Sequence, residues 1–145
     1  MGFSFSVFFT IIALRVIAKK IQKNGVDFSK AIIPQFVRRE AIERITWHKS
    51  EGYKVVVVSA SLDIYLQGWC DQHKLDLISS KLEVKNNKIT GKYLGSDCSG
   101  KEKVKKIKNK YNLDEYDCIY AYGDTSEDLE MLSIADKKFY CWKEM

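Results

Sequence analysis

Three short stretches of this chain carry side chains able to do chemistry. Ser59-Ala60-Ser61 follows a run of four valines, Val55 to Val58. A hydroxyl beside free backbone N–H groups at the start of a helix makes an anion site. Helix capping accounts for the same serines equally well, with Ser61 the natural N-cap, so both readings stand. Gly123-Asp124-Thr125-Ser126-Glu127-Asp128 places three acids in one turn after the apolar run Ile119 to Tyr122. Acids suit a helix start, but a glycine precedes Asp124 and the strand aims it into a crevice. Hard carboxylate oxygens there suit Mg²⁺, which takes one or two carboxylates and keeps water and phosphate in its other positions. The third stretch is Lys101 and Lys103, at the start of a helix that also carries Lys105, Lys106, Lys108 and Lys110. Cations in a first helical turn oppose the macrodipole. A local rule broken in this way points to function, here an ammonium aimed at phosphate or carboxylate.

The elements that position these groups alternate along the chain. Residues 35–51 repeat Val37, Ala41, Ile42 and Ile45 at helical spacing, and Gly52 ends the helix. Lys54 to Ser59 lacks alternation, as a strand buried on both faces does. Leu62, Leu66, Trp69 and His73 form the stripe of a second helix. Runs from Ile78 to Val84 and from Lys88 to Leu94 flank Asn86-Asn87, a hairpin signal. A helix over 100–111, a strand over 117–122, a helix through Leu129, Leu132 and Ile134, and a closing strand from Phe139 to Trp142 complete the pattern. This order predicts an α/β fold with a mainly parallel, three-layer, Rossmann-like sheet and a β-hairpin insertion. Ligands bind such sheets beyond the carboxyl ends of their strands, where Ser59 and Asp124 both fall.

With 145 residues and a 46% hydrophobic share, the chain has the material for one domain's core. One proline and eight glycines exclude collagen-like and Pro-rich classes. The net charge of +5 permits anionic ligands without demanding nucleic acid. The lysine helix lacks the interleaved aromatics of a nucleic-acid surface and reads mostly as a solvated face. Cys70, Cys98, Cys118 and Cys141 show neither zinc spacing nor a disulfide framework and read as packing, which points to a cytoplasmic chain. His48 and His73 read as helix-face or last-turn residues. Phe3 to Ala18 is apolar but shorter than the roughly 20 residues that span a bilayer, and Arg15 interrupts it. A buried or amphipathic helix is the expectation there, with association at the inner-membrane surface as the alternative.

Taken together and in order, these motifs resemble the haloacid dehalogenase (HAD) superfamily, and within it the phosphoserine-phosphatase-like hydrolases of subclass IB. The resemblance is carried by Trp47-His48-Lys49 with Gly52, Val57-Val58-Ser59-Ala60-Ser61, Leu82-Glu83-Val84 with Thr90-Gly91, Cys98-x-Gly100-x-x-Lys103-Val104, and Ile119 to Thr125. It covers about residues 35–142. It implies a Mg²⁺-dependent phosphomonoester phosphatase acting on a small phosphorylated substrate, phosphoserine-like or lipid-phosphate-like. Ser59, with Ala60 beside it, would bind the substrate phosphate. Lys103 would neutralise phosphate and nucleophile, and Asp124 and Asp128 would serve the metal. Some members resemble bacterial lipid phosphatases whose cap carries an apolar segment, to which Phe3–Ala18 would correspond.

The family pattern begins with Asp-x-Asp-x-Thr on its first, central strand, and the first Asp attacks phosphorus. Residues 1–26 of this chain contain no Asp or Glu, and Asp27 and Glu40 stand alone. The resemblance therefore implies an N-terminally truncated or degenerate member. Residues 1–34 would be the remnant of a helical cap, and residues 35–145 a core missing its first central strand. Such a chain would be inactive alone, leaving phosphate or protein binding as the alternative role. The valine strand and the strand over 117–122 would each keep an unpaired edge within the sheet, making the chain marginally stable. Phe3–Phe9 alternates in part and is the one candidate strand for that gap, although helix is the expectation.

Overall fold

A computed structural model describes residues 5–9, as backbone, and 25–145. Its strands are β1 (Phe5–Phe9), β2 (Lys54–Leu62), β3 (Asp76–Ser80), β4 (Leu82–Lys85), β5 (Lys88–Tyr93), β6 (Cys118–Gly123), β7 (Lys137–Tyr140) and β8 (Lys143–Glu144). The helices are α1 (Gly25–Ala31), α2 (Ile33–Phe36), α3 (Arg39–Ser50), α4 (Asp63–Gln72), α5 (Lys101–Lys110) and α6 (Leu129–Ser133). Six strands form one sheet in the order β3-β2-β1-β6-β7-β8, parallel except for β8. The hairpin of β4 and β5 stands apart. Asn86 and Asn87 turn it with φ of 49° and 59°, the left-handed pair a tight two-residue hairpin requires.

β1 corrects two expectations. The sheet does have a central strand, and Phe5–Phe9 forms a strand rather than part of a helix. Val7 pairs with Val55 on one side and Tyr120 on the other. The backbone groups of β2 and β6 that would have lacked partners face β1, so the reason for expecting a marginal fold falls away. The sheet also crosses the boundary drawn at residue 34. The remainder of the apolar run, residues 10–18, lies outside the described residues.

Both sheet faces are covered, which makes three layers. On one face Val55, Val57 and Tyr122 pack with Ile33, Ile45, Leu66 and Trp69 from α2, α3 and α4. On the other, Val56, Val58, Ile119 and Ala121 pack with Ile107 of α5 and with Met131 and Leu132 of α6. The strict alternation in β2 explains why four valines in a row are needed: each face takes two. α1 docks on α4, where the backbone N–H of Trp69 donates to Ser29 Oγ at 2.6 Å.

Local differences have simple causes. The helix expected over 35–51 is split, because Val37 and Arg38 are extended, with ψ of 126° and 143°. Ser61 does not cap α4. That position belongs to Leu62, without a side-chain cap, and Ser61 instead donates its N–H to Ser59 Oγ at 3.1 Å. Leu129 is largely exposed, and Cys141 sits on the exposed β7–β8 turn rather than in packing. The other three cysteines are wholly or partly buried.

Candidate active site

The sheet's parallel strands end on one side, and β1 lies between the two strands that carry the candidate residues. Phe9 pairs with Val57 of β2 and Tyr122 of β6. Ser59 and Asp124 each lie two residues further on, so they flank the carboxyl end of β1.

Ser59 is buried where the pairing of β2 with β3 shifts, between Ser59 and Leu62. Ala60, half-buried in that irregular stretch, is held from behind. Ser80 Oγ donates to the Ala60 carbonyl at 2.8 Å and accepts the Cys98 N–H at 2.8 Å. That clamp joins the end of β2 to the loop that leads into α5.

Lys103 is 1% exposed. Of the two lysines in the first turn of α5, Lys101 is exposed and Lys103 turns inward to donate to Asp128 Oδ1. Gly100 makes this entry possible with φ of 48°, a conformation that side chains strain.

Asp128 is fully buried and organises the loop after β6. Its Oδ1 takes Lys103. Its Oδ2 accepts the N–H groups of Asp124 and Thr125, each at 3.1 Å, and the Thr125 hydroxyl at 3.2 Å. Burial alone would raise the Asp128 carboxyl, but the Lys103 bond and charge and the two N–H groups outweigh it and hold the pKa below the usual range. With both oxygens hydrogen-bonded, Asp128 positions the loop and Lys103.

Asp124 is the opposite case. Its Oδ1 is buried with no hydrogen-bond partner among the described residues. Burial pushes its pKa up, the Arg38 guanidinium opposes that, Asp128 adds to it and Lys103 opposes it. A buried carboxylate oxygen without a partner is costly and fits a cation. Among the described residues no group of three or more His, Cys, Asp or Glu comes together to hold a metal. Asp124 would therefore hold a hard divalent cation by one carboxylate, with water and phosphate oxygens completing its shell.

Gly123 is required by the same packing. A Cβ there would stand 2.5 Å from Asp128 Cβ and 3.1 Å from its Cγ and Oδ2. Gly123→Ala should cost about 1–3 kcal/mol, as overpacking of a tight site does, and should displace Asp128 from Lys103. Urea unfolding of the variant checks this, and a stability equal to the parent's would contradict it.

Sequence reasoning missed Arg38, whose Nη2 lies 3.7 Å from Asp124 Oδ2. It also missed the reciprocal capping of Thr125 and Asp128, although Thr-x-x-Asp is a recognisable relative of the capping box. Arg38 left no signal, because it sits in a run of charged residues before α3.

Comparisons with known proteins give the family and the fold. A model of haloacid dehalogenase-like hydrolases matches residues 4–133. Protein CicA of Caulobacter vibrioides is 33% identical over 123 residues, which cover 83% of this chain and 55% of that protein. The chain thus spans about half the length of the curated relatives it matches. A protein of unknown function from Bordetella pertussis Tohama I superposes with a TM-score of 0.72 at 17% identity, covering 80% of this chain and 55% of its own. A probable phosphoserine phosphatase from Vibrio cholerae superposes with a TM-score of 0.69 at 16% identity, covering 94% and 55%.

Proposed function

The chain belongs to the haloacid dehalogenase-like hydrolase family, and from that premise we propose that its strand-end site binds a phosphomonoester together with Mg²⁺ and does not hydrolyse it unaided. The observation that carries this reading is the buried Lys103–Asp128 pair braced against Asp124, whose Oδ1 has no hydrogen-bond partner among the described residues. Asp124 would hold the cation. Ser59, the backbone at Ala60 and Lys103 would meet the phosphate. When bound, the cation supplies positive charge against the phosphate oxygens, and phosphoryl transfer depends chiefly on such charge and positioning.

Covalent phosphoryl transfer also needs a carboxylate to attack phosphorus. The sequence that continues β1 is Thr10-Ile11-Ile12-Ala13, which holds none. Binding without turnover is therefore the role assigned to this chain. The substrate is a small phosphorylated molecule. The phosphoserine-like class is supported by the name of the Vibrio cholerae neighbour, and the lipid-phosphate class by the apolar run Phe3–Ala18. Among the described residues no helix is long and apolar enough to cross a membrane.

Purified chain with p-nitrophenyl phosphate and Mg²⁺ is expected to show no turnover above buffer. Calorimetry with inorganic phosphate is expected to show weak binding that requires Mg²⁺ and falls several-fold in Ser59→Ala. Turnover that disappears in Asp124→Asn would show that a nucleophile is present after all. Phosphate binding indifferent to Mg²⁺ would remove Asp124 from the site.

A further inference from the structure

Arg38 is not used by that reading, yet its guanidinium is the second cation beside Asp124. It lies in the extended joint between α2 and α3, its side chain is 57% exposed, and its Nη2 is 3.7 Å from Asp124 Oδ2. That distance is an ion-pair contact rather than a hydrogen bond. With the guanidinium largely in solvent and no hydrogen bond made, the pair adds little stability, so stability does not explain the placement.

Charge accounts for it better. Among the described residues, the charged groups that act most strongly on Asp124 are Arg38, Asp128 and Lys103. With Asp124 itself they make two carboxylates against two cations, a neutral set. Lys103 is largely neutralised, because it is buried against Asp128. A divalent cation on Asp124 would make the set doubly positive. That matches the dianion of a phosphomonoester, whose second pKa is about 6, rather than the monoanion of a diester. Without Arg38 the excess would be a single charge. The guanidinium also has the planar fork that pairs with phosphate oxygens, and its exposure lets it turn without repacking the core.

Resting on the phosphate-binding reading above, we propose that Arg38 is a substrate-binding residue that selects monoesters. It occupies Asp124 while the cation is absent, and it turns to the phosphate oxygens once the cation takes the carboxylate.

The test is calorimetry on the full chain, comparing wild type with Arg38→Gln and Arg38→Lys. Each is titrated with MgCl₂ alone and then, at saturating Mg²⁺, with inorganic phosphate and with dimethyl phosphate. Arg38→Gln should bind Mg²⁺ a few-fold more tightly, because its competitor is gone. It should bind phosphate roughly tenfold more weakly, in line with loss of a charge-assisted hydrogen bond. Its preference for phosphate over dimethyl phosphate should shrink, and Arg38→Lys should fall between the two. Opposite signs for metal and anion are the signature, since a merely structural role would weaken both. Unchanged Mg²⁺ and phosphate affinities in Arg38→Gln overturn the proposal while leaving the Asp124 site intact. A wild-type chain that binds no Mg²⁺ overturns the Asp124 site and this proposal with it.

Discussion

Lys103→Met should lower the free energy of unfolding by about 3–5 kcal/mol, the cost of leaving a buried charge without its partner. Lys103 and Asp128 are 1% and 0% exposed, and no water replaces the lost ammonium cheaply. The loop N–H groups on Asp128 Oδ2 remain, but Oδ1 loses its donor. Lys103→Met combined with Asp128→Asn should recover at least half of the loss. The amide removes the charge and can still accept the N–H groups of Asp124 and Thr125. Urea unfolding at neutral pH measures both variants, and the double variant remains informative should the single one fail to fold. The same pair predicts acid sensitivity with a definite sign. Because the folded Asp128 pKa is depressed, its stabilisation is complete above the ordinary carboxylate range and is lost as pH falls through the folded value. A single variant within 1 kcal/mol of wild type would mean that the pair is not desolvated.

A second large effect is expected from His48. It is 0% exposed, and its Nε2 lies 2.9 Å from Tyr122 Oη. The rings of Trp47, Tyr53 and Tyr120 surround it with centroids 4.7, 4.8 and 4.8 Å away. Burial, and then the nearby Arg44, lower its pKa from 6.5 to about 4. The unfolded chain therefore binds a proton at a pH where the folded one does not. Stability is full above pH 6.5 and declines as pH falls from there toward 4. At about 1.4 kcal/mol per unit, wild type should lose about 2–3 kcal/mol more than His48→Gln between pH 7.5 and 4.5. Parallel pH profiles for the two proteins would contradict a neutral, buried His48.

These two residues also show what can be read from a sequence. Lys103 stood out because a cation in the first turn of a helix opposes its dipole, which points to a phosphate or carboxylate partner. The sequence could not separate Lys103 from Lys101. One turns to Asp128 and the other to solvent, a matter of rotation about the helix. His48 offered no such conflict, since a histidine in a last turn is favoured anyway, and its burial depends on Tyr122, 74 residues away. Asp124 was legible as the acid after a glycine at a strand tip. Asp128 was legible as a neighbour, but its role in holding the loop depends on which oxygens meet which N–H groups. β1 was misread for a physical reason. A central parallel strand is covered on both faces and needs no alternation, so Phe5–Phe9 inside a longer apolar run carries the same pattern as a buried helix. Arg38 reaches Asp124 only because the chain is extended at Val37–Arg38, where helical periodicity suggested no break.

The central claim is that a divalent cation on Asp124 and a phosphate at Ser59 and Lys103 occupy one site. Mn²⁺ in place of Mg²⁺ tests it through the ³¹P relaxation of inorganic phosphate, which a paramagnetic ion accelerates steeply at short range. Wild type should enhance the relaxation above the protein-free Mn²⁺ control, and Asp124→Asn should return it to that control. Equal enhancement in wild type and Asp124→Asn would contradict the claim.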